Sequence, residues 1–367
     1  MDRFAHYAWP FFEERHRALA RKADAWSRNY LVSSSDIDTD KFCRKAVKAL
    51  GAAHFLEHCV TETPDVRSIA LLREVFAYHA GLADFAFVMQ GLGSGAIGLA
   101  GTEAQKKAWL PKVARGEAIA AFALSEPEAG SDVAAMQTVA VRDSSGWKLS
   151  GTKTWISNGG IADFYVVFAK AEQGITAFVV KAGEVDASER LEIIAPHPMA
   201  TVKLKNSRAE LLGEPGQGFK LAMRNLDVFR TTVAGAALGF ARRALDEALA
   251  RAKGRKMFGQ KLADLQMTQA KLAEMATSIE AAALLTFKSA WIKDVKKSRV
   301  TMDAAMAKMQ ATEMAQQVVD AAVQIMGALG VKSGHPVERL YREVRALRIY
   351  EGATEVQKVI IARELLK

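Results

Sequence analysis

A carboxylate set in an apolar break between helices is a candidate general base, and residues 348–355 offer one. They read Arg348-Ile349-Tyr350-Glu351-Gly352-Ala353-Thr354-Glu355, with Glu351 beside the glycine and Thr354 placed to cap the helix that follows. Withdrawal from water raises a carboxyl's pKa, which poises it to take a proton. The same spacing fits an ordinary surface glutamate. Three other stretches combine unusual residue types. Ser125-Glu126-Pro127-Glu128-Ala129-Gly130-Ser131-Asp132 can aim backbone N–H groups and hydroxyls at an acceptor-rich ring or phosphate, or be a plain polar loop. In Lys153-Thr154-Trp155-Ile156-Ser157-Asn158-Gly159-Gly160, strand alternation puts Trp155 and Ser157 on one face. There an indole can cover an aromatic cofactor while a hydroxyl bonds to it, although tryptophan in a strand also serves as core. Gln324-Ile325-Met326-Gly327-Ala328-Leu329-Gly330 suits close approach to a pyrophosphate, and equally a helix C-cap.

These stretches sit in three zones of different texture. Residues 1–120 have helical periodicity, interrupted by turn chemistry at Ser33-Ser34-Ser35-Asp36 and Thr61-Glu62-Thr63-Pro64. Residues 121–213 turn to β-branched, alternating runs such as Phe164-Tyr165-Val166-Val167-Phe168 and Thr176-Ala177-Phe178-Val179-Val180. Turn signals at residues 143–146, 157–160 and 181–183 separate them, as between antiparallel strands. Residues 214–367 are helical again, and 264–294 read as one long helix of a bundle shared with another subunit. The expected fold is mainly α with a middle antiparallel β domain: helical domain, β domain, four-helix bundle.

Composition narrows the class. The chain has 367 residues, half of them apolar and 25% charged, with no low-complexity tract, so it has the material for a folded core. No window holds 18 consecutive apolar residues, and the N-terminus carries Asp2, Glu13 and Glu14 without an apolar segment. Neither a membrane span nor a signal or transit peptide is expected, and the location expected is the cytoplasm. Cys43 and Cys59 lack metal-ligand spacing and read as free thiols, and no metal is expected. The net charge is +9, but the basic residues are spread along the chain, often four from an acid, as on solvated helices. The run from Lys293 to Arg299 reads as a helix end and the loop after it.

Taken together and in this order, the motifs resemble the acyl-CoA dehydrogenase family from about residue 70 to 365, including Arg255-Lys256-Met257-Phe258-Gly259 and residues 350–357. The resemblance implies FAD lying between the β domain and the bundle and touching a neighbouring subunit. It places Phe122, Leu124, Ser125 and Ser131 in the flavin-binding loop, Trp155 and Ile156 along the isoalloxazine, and Ser157 at its N5. Arg255, Phe258 and Gln266 match adenine-diphosphate contacts reached across a dimer, and Gln324, Gly327, Ala328, Ala353, Thr354 and Glu355 match the remaining FAD contacts. Ser131, Asp227 and Arg230 match positions around the acyl-CoA, and Phe85, Val88 and Phe229 match the lining of the acyl tail. Two rings and a β-branched residue there imply a shallow pocket and a preference for short, branched or compact cyclic acyl groups.

The activity implied is α,β-dehydrogenation of an acyl-CoA to a 2-enoyl-CoA in acyl-CoA catabolism. Glu351 takes the α-proton, the β-hydrogen leaves as hydride to flavin N5, and the Glu351 N–H polarises the thioester oxygen. Some relatives carry the base one residue before the arginine matched by Arg230; that position is Phe229 here, which leaves Glu351. An electron-transferring flavoprotein is the implied acceptor, and the implied assembly is a homodimer or homotetramer. Three departures stand out: Ala328 where glycine is commoner, Ala353 where threonine is commoner, and a shortened stretch between Leu191 and Val202 near the CoA entrance. Rival readings are an acyl-CoA oxidase or another flavin oxidase or monooxygenase of the superfamily. A DNA-associated branch carries a basic C-terminal extension, absent after Lys367, and no nucleic-acid partner is expected.

Overall fold

The computed structural model describes residues 5–30 and 38–367; the turn expected at residues 33–36 lies outside them. Five helices come first: α1 (Glu14–Tyr30), α2 (Thr39–Ala52), α3 (Val66–His79), α4 (Gly81–Ala100) and α5 (Glu103–Ala114). Their starts follow from local chemistry. The Asp38 carboxylate accepts from the Lys41 N–H at the head of α2, and Thr102 and Gln105 form a reciprocal capping box on α5. The head of α3 is capped from far along the chain, where Asp294 accepts from the N–H groups of Val66 and Arg67 and from the Arg67 guanidinium. Among the described residues α4 alone is long and apolar enough to cross a membrane, and 78% of that apolar window is buried inside the protein, as in a core helix.

Six strands follow: β1 (Ala120–Ala123), β2 (Val139–Asp143), β3 (Gly146–Ser157), β4 (Phe164–Ala171), β5 (Gly174–Lys181) and β6 (Met199–Leu212). They pair in the order β1-β4-β2-β3-β6-β5, and a further β4–β5 pairing closes the sheet on itself, which protects its edges. The expectation of a wholly antiparallel sheet is corrected in one place. β1 runs parallel to β4, from Ala120 opposite Phe164 to Ala123 opposite Val167, and Val139 of β2 also meets Lys170 in parallel. The physical reason is the long excursion through β2 and β3, which brings the chain back beside β1 in the same direction. Buried on both sides, β4 reads as a continuous apolar run from Phe164 to Phe168.

The rest is helical apart from a short hairpin: α6 (Gly218–Gly254), β7 (Lys256–Met257), β8 (Gln260–Lys261), α7 (Gln266–Trp291), α8 (Thr301–Met326), α9 (Pro336–Leu347) and α10 (Thr354–Leu365). The long helix expected over 264–294 is shorter at both ends. Leu262–Asp264 is a 3-10 turn, and after Trp291 the chain widens into a π-helical turn, Ile292–Lys296, that stops at Lys297 in the left-handed region. Cys43 and Cys59 are buried, and neither is in a disulfide.

The chain packs as two compact units that cut across the three zones of sequence texture. One gathers Val66–Asp84 and Phe229–Lys367 with the N-terminal segment; the other gathers Phe85–Val228 with the stretch that ends at Asp65. Within the first, α3 and α6 approach backbone to backbone. A side chain on Gly235 would stand 2.2 Å from the Ala70 carbonyl oxygen, and one on Gly239 would stand 2.2 Å from that of Glu74. In this unit Phe287 of α7 is fully buried, 4.7 Å from the ring of Phe12, worth about 1.5–3 kcal/mol of burial. In the second unit the rings of Phe122 and Phe168 lie 5.1 Å apart, and those of Trp147 and Phe178 lie 5.2 Å apart.

Candidate active site

In the second unit, the strand β1 delivers Phe122 and runs into the loop that carries Leu124, Ser125 and Ser131. This loop is more than a polar connection. Glu126 is buried, and its carboxylate accepts from the backbone N–H groups of Gln137 and Thr138 and from the Lys153 ammonium at 2.8 Å. Lys153 also donates to the Leu124 carbonyl at 3.0 Å, and the Thr154 N–H donates to the Ser125 carbonyl at 3.0 Å. Burial pushes the Glu126 carboxyl up, but its donors hold it below the ordinary range; burial pushes Lys153 down to about 8. The pair thus ties the loop to β3 at the residue next to Thr154-Trp155.

Trp155 is exposed and Ser157 half-buried on either side of buried Ile156, but the strand does not alternate unbroken here. Pairing slips between Lys153 and Ile156, and Trp155 takes a left-handed φ of 58°. That conformation costs a non-glycine residue ~1–3 kcal/mol, and here it presents an indole that is 57% exposed. The Ser157 hydroxyl, half-buried, makes no hydrogen bond to the described residues. Ser131 is exposed and Asp227 half-buried. Phe85 and Val88 are buried on α4, and the Phe85 ring lies 4.6 Å from that of His197, within the segment read as shortened.

In the first unit, α9 ends at Leu347, and the break before α10 holds two consecutive left-handed residues, Glu351 at φ 53° and Gly352 at φ 94°. Three helices hold this break. Lys308 of α8 donates to the Gly352 carbonyl at 2.8 Å, and Gln357 of α10 donates to the same oxygen at 2.9 Å. Arg230 of α6 donates to the Glu351 carbonyl at 3.4 Å. Both carboxylate oxygens of Glu351 are buried without a hydrogen-bond partner among the described residues. Burial pushes the carboxyl up, against the pull of Arg73, Lys308 and Arg230, with Asp84 pushing the same way as burial. Arg73 is spoken for. Its guanidinium is bidentate on Asp84, 2.8 Å on each side, and also donates to Thr232 at 3.2 Å.

One expectation fails here. Thr354 does not cap α10: the cap position is Ala353, without a side-chain bond, and the Thr354 hydroxyl donates instead to Glu313 at 2.6 Å. Thr354 is already the first residue inside α10, one place past the cap position, and Glu313, which also accepts from Arg348 at 2.8 Å, takes its hydroxyl hydrogen. Glu355 is exposed, and Phe229 is buried one residue before Arg230.

The remaining cofactor candidates of this unit fall into two places. Gln324 and Ala328 are exposed at the end of α8, where Gly327 caps the helix at φ 64°. A side chain on Gly327 would stand 3.5 Å from Arg255 Nη1, so the bare glycine leaves room for an anion to reach that cation. The β7–β8 hairpin turns at Phe258 and Gly259, both left-handed, and carries Phe258 86% exposed at its tip; Gln266 is exposed at the start of α7. Taken unit by unit, the exposed strained indole and unbonded hydroxyl of the second unit suit a flavin ring, and the cation beside a bare glycine in the first suits a pyrophosphate, so each set fits its part of FAD.

Reading residue types alone missed Lys153 with its partner Glu126, and Lys308 with Gln357. The one signal for Lys308 is a cation at helical spacing among Ala304, Ala305, Ala307 and Ala311, all of which are buried.

Comparison with known proteins agrees with this picture along nearly the whole chain. Family models described as the N-terminal, middle and C-terminal domains of acyl-CoA dehydrogenase match residues 13–117, 121–206 and 216–366. The chain is 40% identical over 279 residues to the mitochondrial short-chain specific acyl-CoA dehydrogenase of Sus scrofa, covering 73% of this chain and 68% of that protein. It is 35% identical to the 3-(aryl)acrylate reductase of Clostridium sporogenes over 379 residues, 97% of this chain and all of the other. The solved butyryl-CoA dehydrogenase of Megasphaera elsdenii superposes with a TM-score of 0.89 at 32% identity, covering 97% of this chain and 99% of that one. This chain belongs to the acyl-CoA dehydrogenase family and is an FAD-dependent oxidoreductase.

Proposed function

We propose that the chain dehydrogenates a short or compact acyl-CoA to the 2-enoyl-CoA, with Glu351 as the base that removes the α-proton. The observation that carries this reading is the buried carboxylate of Glu351, which has no hydrogen-bond partner among the described residues and so is open to a substrate C–H. A thioester acidifies its α-proton only modestly, so the base must be held dry and oriented before the proton can leave. The backbone N–H of Glu351 also makes no backbone hydrogen bond among the described residues; the last one before the break runs from Tyr350 to Ala346. That N–H is available to stabilise the enolate oxygen as charge develops there. Bound FAD supplies the acceptor for the β-hydrogen as hydride.

Leu124, Ser125, Trp155, Ser157, Arg255, Phe258, Gln266, Gln324 and Gly327 belong to the cofactor in this reading, and Arg230 and Asp227 to the thioester. The three-part division at 1–120, 121–213 and 214–367 and the electron-transferring flavoprotein as acceptor belong to it too. So does assembly as a homodimer or homotetramer, supported by Phe258 and Met267, both more than four-fifths exposed. The aryl-acrylate reductase relative supports a second direction for the same site, in which Glu351 returns a proton to the α-carbon of an enoyl substrate. The experiment is anaerobic flavin bleaching with a panel of acyl-CoA thioesters, then reoxidation in air. Bleaching by saturated thioesters with slow reoxidation supports a dehydrogenase. Fast reoxidation by oxygen makes the chain an oxidase, and no bleaching by any saturated thioester removes the reading.

A further inference from the structure

Lys308 is the fully buried cation of this site with no carboxylate in contact. Its ammonium donates to one neutral acceptor, the Gly352 carbonyl, and no salt bridge engages it among the described residues. A buried ammonium with a single carbonyl partner is costly to hold, and an apolar side chain of similar length would avoid that cost. The foremost charge it feels is that of Glu351, whose carboxylate oxygens make no hydrogen bond among the described residues. We propose that Lys308 is a positioning residue for Glu351, fixing the left-handed Glu351–Gly352 turn through the Gly352 carbonyl and supplying the positive charge that favours the ionised base. The proposal rests on the reading of Glu351 as the base.

The division of labour follows from the partners. Around Glu351 stand Arg73 from α3, Asp84 from α4, Arg230 from α6 and Lys308 from α8, with Tyr350 next to it in the chain. Arg73 is neutralised by Asp84, and Arg230 reaches the Glu351 carbonyl only at 3.4 Å. Lys308 makes the shorter contact, to the very next peptide, and its charge is also felt by Arg230, Glu313 and Glu355. Gln357 shares the Gly352 oxygen but brings no charge. Burial pushes Lys308 down to about 8, so below that pH its ammonium carries a charge. A cation there favours the carboxylate form, so its removal moves ionisation of Glu351 to higher pH.

The test uses the FAD-loaded enzyme and butanoyl-CoA, with the anaerobic rate of flavin bleaching followed from about pH 5 to 9. FAD content and thermal unfolding are measured alongside. Lys308→Gln keeps a donor but no charge: its acid limb is expected about half a unit to one unit higher, with the plateau within about tenfold of the parent. Lys308→Met loses both and should drop the plateau by a further factor of about ten or more. Lys308→Arg should keep the parent limb. An unmoved acid limb in Lys308→Gln, with FAD retained, overturns the proposal. If neither neutral variant folds, Lys308→Arg decides, because a limb displaced by more than about half a unit contradicts a role set by charge. Glu351→Gln in the same assay separates the two levels. If it still bleaches at near the parent rate, the assignment of the base has failed; if it is silent while the Lys308→Gln limb stays put, only the role of Lys308 has failed.

Discussion

Glu126 and Glu351 are both withdrawn from water, and the chain treats them in opposite ways. Glu126, between β1 and β2, receives two backbone N–H groups and the Lys153 ammonium, and its carboxyl is held below the ordinary value of 4.5. Glu351, between α9 and α10, receives none on either oxygen, and burial pushes it above that same value. Each has a buried lysine in its unit, and burial takes both lysines down to about 8. Lys153 is bonded to the carboxylate itself; Lys308 is bonded to the peptide beside it. A carboxylate whose lone pairs are filled holds structure together. One whose lone pairs are empty is kept for a ligand, at a cost in stability.

The sharpest way to break this comparison is to remove each partner in turn. Glu351→Gln should retain FAD but lose ~10²–10⁴ in the rate of α,β-dehydrogenation, read as flavin bleaching by acyl-CoA. A variant within about tenfold of the parent would place the base elsewhere. Lys153→Met should leave Glu126 charged, buried and short of a partner, destabilising the fold by about 3–5 kcal/mol in denaturant unfolding. An unchanged midpoint there would mean the pair is not the tie between loop and strand.

Arg255→Ala should come next in size, lowering FAD retention on gel filtration and weakening assembly in sedimentation, because the space beside Gly327 loses its cation. A stable FAD-loaded monomer at micromolar concentration contradicts this. The smallest effect concerns the acyl tail. Each methylene that fits adds roughly 0.8 kcal/mol, so the specificity constant should rise along short straight chains and stop before eight carbons. A maximum at eight or beyond removes the shallow pocket attributed to Phe85, Val88 and Phe229.

The comparison also fixes two signs in the pH dependence of stability. Glu126 has a depressed folded pKa, so its contribution is present above 4.5 and is lost as pH falls through the folded value. Glu351 is raised, so its contribution is present below 4.5 and is lost as pH rises through its folded value. At neutral pH, Glu126→Gln should therefore destabilise the fold while Glu351→Gln leaves it as stable or more so.

Much of this was legible in the sequence, for reasons that particular residues make clear. Texture separates helices from strands because β4 is apolar residue after residue, while α9 shows its buried positions at helical spacing. Glu351 stands out because a glycine follows it at a break, and the left-handed pair is what that glycine permits. What escaped was set by distant contacts. Nothing near Thr354 in the chain announces that Glu313 will take its hydroxyl, and nothing near Asp294 announces that it will cap α3. Lys308 and Lys153 read as solvated charges until the fold shows what covers them. The parallel pairing of β1 with β4 depends on where a long excursion returns, which no local pattern records.

The most direct test of the central claim is the titration of Glu351 itself. Infrared difference spectra between the parent and Glu351→Gln isolate one protonated carboxyl band, followed as pH is raised in the absence of substrate. A carboxyl buried without partners should keep that band beyond 4.5 and lose it only at higher pH. A band already gone at or below 4.5 would mean that Glu351 is solvated or paired like Glu126, and the reading of it as a base held in reserve would be wrong.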